Sequence, residues 1–270
     1  MALLRPQKEG DNMDQPRDAS MMNELFGFTR TIVKSRYALL TPDGFVPGHL
    51  PGWSNARVIT HISAAMGARF SQLQITLGPK SRGEGNTGPL EYFVFLLAGR
   101  CSPQIAGQKF NLAAGGYVFV PPDTEFHFGG AAIGTRLLIF QKQYEPLAGA
   151  DKPGVVTGQE RNVSGRPFLG DKDARLQVLL PEEPGFDLAV NMFTYQPGAT
   201  LPFVETHIME HGLLMLKGQG IYRLDDDWHP VKEGDVIWMA PYCPQWFVAM
   251  GKTPASYIYY KDVNRAPAGV

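Results

Sequence analysis

The chain has 270 residues, of which 44% are hydrophobic, and a formal net charge of −1 at pH 7. This length is enough for one large or two medium domains with well-buried cores. The near-neutral charge and the lack of a basic run exclude an electrostatic binding face for nucleic acid or for an anionic membrane surface. Two cysteines, Cys101 and Cys243, are too few for a disulfide framework, so we expect a reducing, cytoplasmic compartment.

The N-terminal stretch is charged and irregular. Residues 1–20 contain no apolar core segment, which is not the pattern of a signal peptide or a membrane anchor, and we expect a mobile arm there. Residues 21–34 have some helical spacing but also β-branched residues near their end, so their type stays open. Residues 41–53 are rich in Pro and Gly, which predicts a loop.

Short β-rich runs, separated by turns of Gly, Pro, Asn and Asp, occupy most of the remaining chain. The first set comprises residues 58–62, 70–77, 92–97, 117–120 and 137–140. The second set comprises residues 186–195, 201–207, 213–216, 220–224, 236–239 and 256–260. Many short strands with this punctuation predict an all-β antiparallel sandwich or barrel. A polar, Gly-rich stretch at 149–166 predicts an interdomain linker.

The two sets of strands are related by a shift of 119 residues. The matching pairs, found without a gap, are Gly99 and Gly218, Gly115 and Gly234, Pro122 and Pro241, and Lys142 and Lys261. This register indicates a duplicated small barrel whose two copies bury each other's apolar faces. We therefore expect an N-terminal barrel at 21–148, a linker at 149–185 and a C-terminal barrel at 186–270.

One carboxylate and two imidazoles lie close together in the second set. With period two, Glu205 and His207 fall on one face of a strand at 201–207, and after a short bend His211 can return to that face. Such a set can supply three corners of a divalent-metal site inside a barrel. The alternative is a pair of ordinary strand histidines. We disfavour it because Glu and His are rarely fully buried without a partner.

The first copy of the repeat lacks these groups. The positions of Glu205, His207, His211 and Gln245 are occupied there by Asn86, Gly88, Tyr92 and Phe126. That set cannot hold a metal, so we expect a structural role for the first barrel. His127 follows Phe126 among aromatic neighbours, and we expect it to be a packed or surface histidine.

The spacing Glu205-x-His207-x3-His211-x6-Gly218, followed by Gly234-Asp235 and Pro241, resembles the two cupin motifs. Glu205 stands where those motifs have their first His, His211 where they have Glu, and Gln245 near the last His. With the runs TPDG at 41–44 and YIYYKD at 257–262, the chain is similar to the (S)-ureidoglycine aminohydrolase family. These are bicupins of allantoin breakdown, and some bacterial members are called glyoxylate-induced proteins. The resemblance covers nearly the whole chain after about residue 21.

The resemblance implies a fold, a reaction and a set of site residues. The fold is two tandem cupin barrels, that is, double-stranded β-helix or jelly-roll barrels. The reaction replaces the α-amino group of (S)-ureidoglycine by hydroxyl, which gives (S)-ureidoglycolate and ammonia in purine catabolism. The implied ligands of Mn²⁺ are Glu205, His207, His211 and Gln245. The resemblance places Tyr257 and Lys261 among the substrate-contacting residues. On chemical grounds Glu205 and Gln245 can also contact the substrate, and Lys261 and Glu205 are the candidate catalytic residues. Family members are generally homo-oligomers.

The residue types agree with such a metal on chemical grounds. One carboxylate, two imidazoles and an amide oxygen, without a thiolate, suit Mn²⁺ or Fe²⁺, while the order of affinities also allows Zn²⁺ or Ni²⁺. Gln245 could instead be only a polar residue beside Pro244 and Trp246. We favour ligation, since its carbonyl oxygen can bind a cation while its NH₂ donates a hydrogen bond.

Alternation along the last strand places Tyr257, Tyr259 and Lys261 on one face, with Ile258 and Tyr260 on the other. If the first face looks into the barrel, the Lys261 ammonium can grip a substrate carboxylate or transfer a proton. The alternative is a strand-end lysine kept from the duplication, because the shift of 119 residues matches it with Lys142.

The other polar residues near the motif have simpler interpretations. We expect Glu210 to point away from the ligand face, Cys243 to be a packing residue, and the acidic run 225–227 to end a hairpin. His229, in that turn-like region, is expected to be solvated. His49 and His61 receive no role from the sequence.

Two alternatives to the hydrolase stay open from the sequence. One is a bicupin that senses a small carboxylate without turning it over. The other is an iron cupin dioxygenase, which would consume oxygen whereas a hydrolase needs none.

Overall fold

The computed structural model describes residues 28–266. The predicted arm at 1–20 and the first part of the open segment 21–34 lie outside these residues. The N-terminal strands are β1 Ile32–Val33, β2 Tyr37–Leu40, β3 Pro47–Gly48, β4 Trp53–Ile62, β5 Phe70–Asn86, β6 Leu90–Ala98, β7 Arg100–Cys101, β8 Gln104–Ile105, β9 Gln108–Lys109, β10 Leu112–Ala113, β11 Gly116–Val120, β12 Glu125–Phe128 and β13 Arg136–Gln143. The remaining strands are β14 Val156–Gln159, β15 Arg166–Phe168, β16 Asp171–Val178, β17 Leu188–Tyr195, β18 His211–Lys217, β19 Gln219–Leu224, β20 Asp227–Lys232, β21 Val236–Met239, β22 Gln245–Met250 and β23 Ala255–Asp262.

The helical turns are short. They are 3-10 turns at Pro42–Gly44, Ala64–Met66 and Glu160–Asn162. None of the helices within 28–266 has the length and apolar character needed to cross a membrane.

The strands form two barrels, which confirms the predicted all-β architecture of two tandem cupin units. The first barrel is one sheet with the order β14-β11-β6-β13-β5-β12-β8-β9, to which β4 and β3 add beside β5. The second barrel is built from the sheet β1-β2-β21-β18-β23-β17-β16-β15 and the small sheet β20-β19-β22. Each barrel has its own apolar interior, containing Val94 and Ile139 in the first and Tyr195 and Phe247 in the second. Alternation of apolar residues along each strand supplies these interiors.

A third apolar cluster lies between the barrels. It uses the opposite faces of the same strands and includes Phe70, Phe93, Phe140, Trp238 and Tyr260. The Tyr260 ring stacks on Phe70 with centroids 4.1 Å apart and lies 5.9 Å from Phe140. Burying such side chains stabilises the fold by about 1.5–3 kcal/mol each. The two units therefore bury each other's apolar faces, as the duplication predicts.

Strand pairing crosses the predicted domain boundaries. Strand β2 precedes the first barrel in sequence but pairs with β21 of the second, with Tyr37 opposite Met239. The predicted linker at 149–185 contains β14, which pairs with β11, and also β15 and β16, which extend the second barrel's sheet. Strands β14 and β15 lie at sheet edges, which explains their polar composition, and β16 is the next strand inward from β15. The sequence boundaries 148 and 186 stay a prediction.

The internal repeat is not gapless through its last strand. Leu96 and Met215 are 119 residues apart, but their partners Leu137 on β13 and Tyr257 on β23 are 120 residues apart. One extra residue of the second barrel lies before β23. The prediction that Lys142 matches Lys261 is therefore wrong, because Gln141 occupies that place in the first barrel.

The segment 201–207 is not the continuous strand that alternation predicts. It forms only isolated bridges, Thr200 with Val248 and Glu205 with Gln245. Pro202 has no N–H group to donate to a strand ladder, and Phe203 is 56% exposed. The segment runs beside β22 and still carries Glu205 and His207 to the cavity described below.

The prediction for His229 is also wrong. Asp225 and Asp226 form the turn between β19 and β20, as expected, but His229 is buried on β20. Its Nε2 atom lies 3.0 Å from the Tyr37 hydroxyl. Alternation on β20 turns His229 inward, and strand β2 covers it, a contact between distant parts of the chain that local composition does not show.

Candidate metal and substrate site

A cavity of about 150 Å³ lies inside the second barrel. All six side chains singled out in the sequence line it: Glu205, His207, His211, Gln245, Tyr257 and Lys261. The remaining lining residues are Phe168, Leu176, Phe193, Leu201, Met209, Leu213, Tyr222, Met239 and Tyr259. The wall is thus largely aromatic and aliphatic apart from these polar groups.

Four chain segments position the polar groups: the extended segment at 201–207 and strands β18, β22 and β23. His211 opens β18 and is paired with Met239 on one side and with Lys261 on the other. Glu205 and Gln245 exchange two backbone hydrogen bonds, each of 2.9 Å, which fixes the extended segment against the start of β22. The cavity therefore receives Glu205 and His207 from an irregular segment and its other polar groups from neighbouring strands.

The two imidazoles face each other. The Nε2 atoms of His207 and His211 are 3.2 Å apart, and the Gln245 Nε2 atom is 3.0 Å from that of His207. The Nδ1 atom of His211 lies 3.2 Å from the Tyr260 carbonyl oxygen and can donate its proton there, which leaves a lone pair on Nε2. Burial, reinforced by neighbouring His207, lowers the pKa of His211 to about 3, and burial lowers the pKa of His207. Both rings are neutral at pH 7, the form that binds metals.

The residue types around the cavity suit a divalent cation, provided that the Gln245 amide acts as a ligand beside the His and Glu side chains. Within residues 28–266, no three side chains of those types form a group that could hold a metal ion. The third neighbour of the imidazoles is the Gln245 amide, whose oxygen faces them after a half-turn of the amide plane. Glu205 lines the same cavity and supplies a carboxylate. Imidazole nitrogens, an amide oxygen and a carboxylate oxygen are donor types that suit a borderline or hard cation.

Comparison with known proteins decides the family. A cupin-domain family model matches residues 191–260. The chain is 37% identical to (S)-ureidoglycine aminohydrolase of Escherichia coli strain K12 over 242 residues, which are 87% of this chain and 92% of that protein. It is 35% identical to the Arabidopsis thaliana protein of the same name over 252 residues, 92% of this chain and 83% of that protein. The chain belongs to the (S)-ureidoglycine aminohydrolase family. The resemblance stated from the sequence is therefore confirmed.

Solved structures agree with membership of the (S)-ureidoglycine aminohydrolase family. The crystal structure of a Pseudomonas aeruginosa protein described as glyoxylate-induced has a TM-score of 0.83 and 28% identity, covering 92% of this chain and 96% of that one. The crystal structure of Escherichia coli Ylba has a TM-score of 0.79 and 31% identity, covering 94% of this chain and all of that one.

Opposite charges share the wall of the cavity in this aminohydrolase-family chain. Burial raises the pKa of the Glu205 carboxyl, and the positive charge of Lys261 opposes that rise. Burial lowers the pKa of Lys261, while Glu182 and Glu205 raise it. Burial thus brings the pKa values of the acid and the base toward each other.

Tyrosines make up much of the wall. The hydroxyls of Tyr195 and Tyr257 are 3.1 Å apart, and the Asn191 amide donates to the Tyr259 hydroxyl at 3.2 Å. Burial holds the pKa of both Tyr257 and Tyr259 well above the usual value, so their hydroxyls stay protonated. Sequence reasoning missed Tyr222 in this wall, although alternation along β19, where Tyr222 and Leu224 are buried, contains the signal.

The remaining candidates lie elsewhere. Glu210 points away from the cavity, as predicted, and accepts a 2.7 Å hydrogen bond from the Trp238 indole. His127 is a surface residue, with its Nδ1 atom 3.2 Å from a Glu84 carboxylate oxygen. In the first barrel, Tyr92 and Phe126 stand in the places of His211 and Gln245, with ring centroids 5.6 Å apart. Aromatic packing occupies the region that carries imidazole and amide in the second barrel.

Proposed function

We propose that this protein hydrolyses (S)-ureidoglycine to (S)-ureidoglycolate and ammonia, using a divalent cation, Mn²⁺, held by Glu205, His207, His211 and Gln245. The observation that carries the proposal is the gathering of these four residues with Tyr257 and Lys261 in one cavity. The names of the relatives support the reaction. The chemistry of the donor set supports the cation.

The reaction breaks the bond between the substrate α-carbon and its amino nitrogen and forms a bond from that carbon to a water oxygen. A bound cation would supply Lewis acidity and fix the substrate's orientation. The Nζ atom of Lys261 donates a proton to the departing nitrogen, and a Glu205 carboxylate oxygen accepts a proton from the attacking water. The Tyr257 hydroxyl and the Gln245 amide orient the substrate by hydrogen bonds. The aromatic wall limits the entry of further water.

The proposal also includes the pathway, the cellular compartment and the oligomeric state. The reaction would serve allantoin and purine catabolism in the cytoplasm. We also propose a homo-oligomer, because exposed apolar side chains such as Phe203 and Trp228, both 56% exposed, suit subunit contacts.

The decisive experiment combines metal analysis with an ammonia-release assay on freshly generated ureidoglycine. Mn²⁺-loaded protein is expected to release one ammonia per substrate consumed, to form the (S) product, and to consume no oxygen. Tight binding of a related carboxylic acid without ammonia release would overturn the hydrolase in favour of a sensor. Oxygen uptake coupled to substrate loss would overturn it in favour of a dioxygenase.

A further inference from the structure

Arg36 lies outside the cavity, in the turn between β1 and β2, yet it contacts the loop that leads into β22. Its guanidinium donates to the Asp225 carboxylate at 3.0 Å and to the Tyr242 carbonyl oxygen at 2.5 Å. Its own carbonyl oxygen accepts a hydrogen bond from the Ala240 N–H group at 2.9 Å. Arg36 thus holds the loop at residues 240–242 through both its backbone and its side chain.

The same loop is bonded directly to the segments that carry two of the proposed ligands. The Tyr242 N–H group donates to the His207 carbonyl oxygen at 2.7 Å. The Asp225 N–H group donates at 2.8 Å to the carbonyl oxygen of Pro244, the residue before Gln245. The Arg36 side chain is therefore linked to the backbone at His207 through Tyr242, and to the backbone next to Gln245 through Asp225.

The backbone of this loop needs such support. Tyr242 has a φ of 60° and Asp225 a φ of 57°, conformations that side chains other than glycine adopt at a cost of about 1–3 kcal/mol. Both of these residues are the ones that the Arg36 guanidinium grips. A planar guanidinium can reach two acceptors at once in a fixed geometry, which a lysine ammonium on its flexible stem does not reproduce.

We propose that Arg36 is a positioning residue of the metal site, acting from the N-terminal segment on the opposite face of the barrel wall. By fixing Tyr242 and Asp225 it sets the separation of His207 and Gln245 in the cavity. This inference rests on the proposed function for the identity of the cation. The ordering of the loop at 240–245 does not depend on that identity.

Lys34 provides a matched control in the same segment. Its ammonium lies 2.5 Å from an Asp227 carboxylate oxygen, and both side chains are about half exposed. No contact of this pair reaches the loop at 240–245 within the described part of the chain. Loss of the Lys34 pair removes one attachment of the segment without touching the residues that hold His207 and Gln245.

The test compares Arg36→Met, Arg36→Lys and Lys34→Met with the parent protein. The dissociation constant for Mn²⁺ is measured by calorimetric titration, and backbone amide exchange at residues 240–245 is measured in metal-free protein. Arg36→Met is expected to weaken Mn²⁺ binding about tenfold or more, the range for groups that orient metal ligands, and to accelerate exchange. Arg36→Lys should show nearly the same loss of Mn²⁺ affinity and the same faster exchange as Arg36→Met. Lys34→Met should keep the Mn²⁺ dissociation constant and the exchange rates within about twofold of the parent.

Each result decides the inference. Parent-like Mn²⁺ affinity in folded Arg36→Met, or the same loss in Lys34→Met, would overturn it. If Arg36→Met does not fold, Arg36→Lys carries the same comparison. If the variants show the expected Mn²⁺ affinities but the parent protein releases no ammonia, the result contradicts only the proposed reaction. If the parent protein binds no Mn²⁺, unchanged exchange at 240–245 in the Arg36 variants overturns the positioning role, and accelerated exchange supports it.

Discussion

At the scale of single residues, the histidines of this chain occupy different environments that residue type alone does not reveal. His207 and His211 line the cavity and face each other, His229 is buried against Tyr37, His61 is buried elsewhere, and His127 is at the surface. Residue type did not distinguish these environments. The spacing of His207 and His211 from Glu205 identified the cavity pair, because a metal-ligand motif carries positional information that an isolated histidine lacks.

The paired replacement His207→Ala with His211→Ala is expected to abolish stoichiometric Mn²⁺ binding while the barrel stays folded. The strands are held mainly by apolar neighbours, and the two imidazoles are local to the cavity. Metal analysis after dialysis, together with circular dichroism, measures both quantities. Tyr92→Ala, at the matching place in the first barrel, should keep full metal content. Full occupancy in the double variant would refute the proposed ligands.

Replacing Lys261 by Met removes the charge while keeping most of the bulk. We expect turnover to fall by about a hundredfold or more with the metal retained, the range for losing a proton-transfer group. Steady-state ammonia release and metal content are the measurements. Gln141→Met is the control, because strand register places Gln141, and not Lys142, at the equivalent position. Near-normal turnover and substrate affinity in Lys261→Met would remove this residue from the proposed site.

His61 should make the protein sensitive to acid. Burial lowers the pKa of His61 from its usual 6.5 to about 4, so the unfolded chain takes up a proton at a higher pH than the folded protein does. This contribution to stability is complete above pH 6.5 and is lost as the pH falls from 6.5 to 4, by about 1.4 kcal/mol per pH unit. Urea unfolding across this range should show a shallower slope for His61→Gln than for the parent. Equal slopes for His61→Gln and the parent would contradict this effect of burial.

At the scale of elements, alternation along strands predicted correctly which face a side chain lies on. The register of the 119-residue repeat did not predict the equivalent positions on the last strand. Alternation on β23 correctly placed Tyr257, Tyr259 and Lys261 toward the cavity and Tyr260 toward the other barrel. The repeat suggested a gapless match, but a single added residue before β23 moved Lys142 to the other face. A shift of one residue reverses the side that a strand residue faces, so sequence comparison without strand pairing cannot detect the change.

Because strand register does not match Lys142 with Lys261, Lys142→Met tests the stability of the fold and is not a control for Lys261→Met. The Lys142 ammonium lies 2.5 Å from Asp187, a fully buried carboxylate, and burial together with Asp187 raises the pKa of neighbouring Glu91 to about 10. Glu91 is therefore neutral at pH 7, and Lys142 is left to balance Asp187. Removing it should destabilise the protein by about 3–5 kcal/mol through the uncompensated carboxylate.

Denaturant unfolding measures the destabilisation of Lys142→Met. The double variant Lys142→Met with Asp187→Asn should recover much of the loss, since no buried charge then lacks a partner. Metal content per folded molecule should be unchanged, because the pair lies between the barrels. A stability equal to that of the parent for the single variant would contradict the role of this ion pair.

At the scale of the whole molecule, turn-separated strands predicted an antiparallel sandwich or barrel, and the internal repeat predicted two such units. The motif in the second unit, with the runs at 41–44 and 257–262, indicated the family. The pairing of an N-terminal strand with the second barrel could not be predicted from the sequence. The pairing of Tyr37–Leu40 with Val236–Met239 joins residues about two hundred positions apart, and no local pattern encodes that contact. The edge strands β14 and β15 within 149–185 were missed because edge strands carry the polar composition of a linker.

We expect the protein to assemble as a homo-oligomer. Light scattering coupled to size exclusion at micromolar concentration should give a mass that is a multiple of 29.8 kDa. A symmetric assembly would cover apolar side chains such as Phe203 and Trp228. A monomer as the sole species under these conditions would contradict the expectation.

The pairing of β2 with β21 also affects how the chain is made. Strand Tyr37–Leu40 leaves the ribosome about two hundred residues before Val236–Met239, the partner that completes its pairing. At about 5–20 residues per second, the early strand waits roughly 10–40 seconds with an unpaired edge. The N-terminal barrel can fold in that interval, but the second barrel closes only after synthesis is nearly complete. Slow translation between the barrels would therefore prolong exposure of this edge, and aggregation during synthesis should increase with that delay.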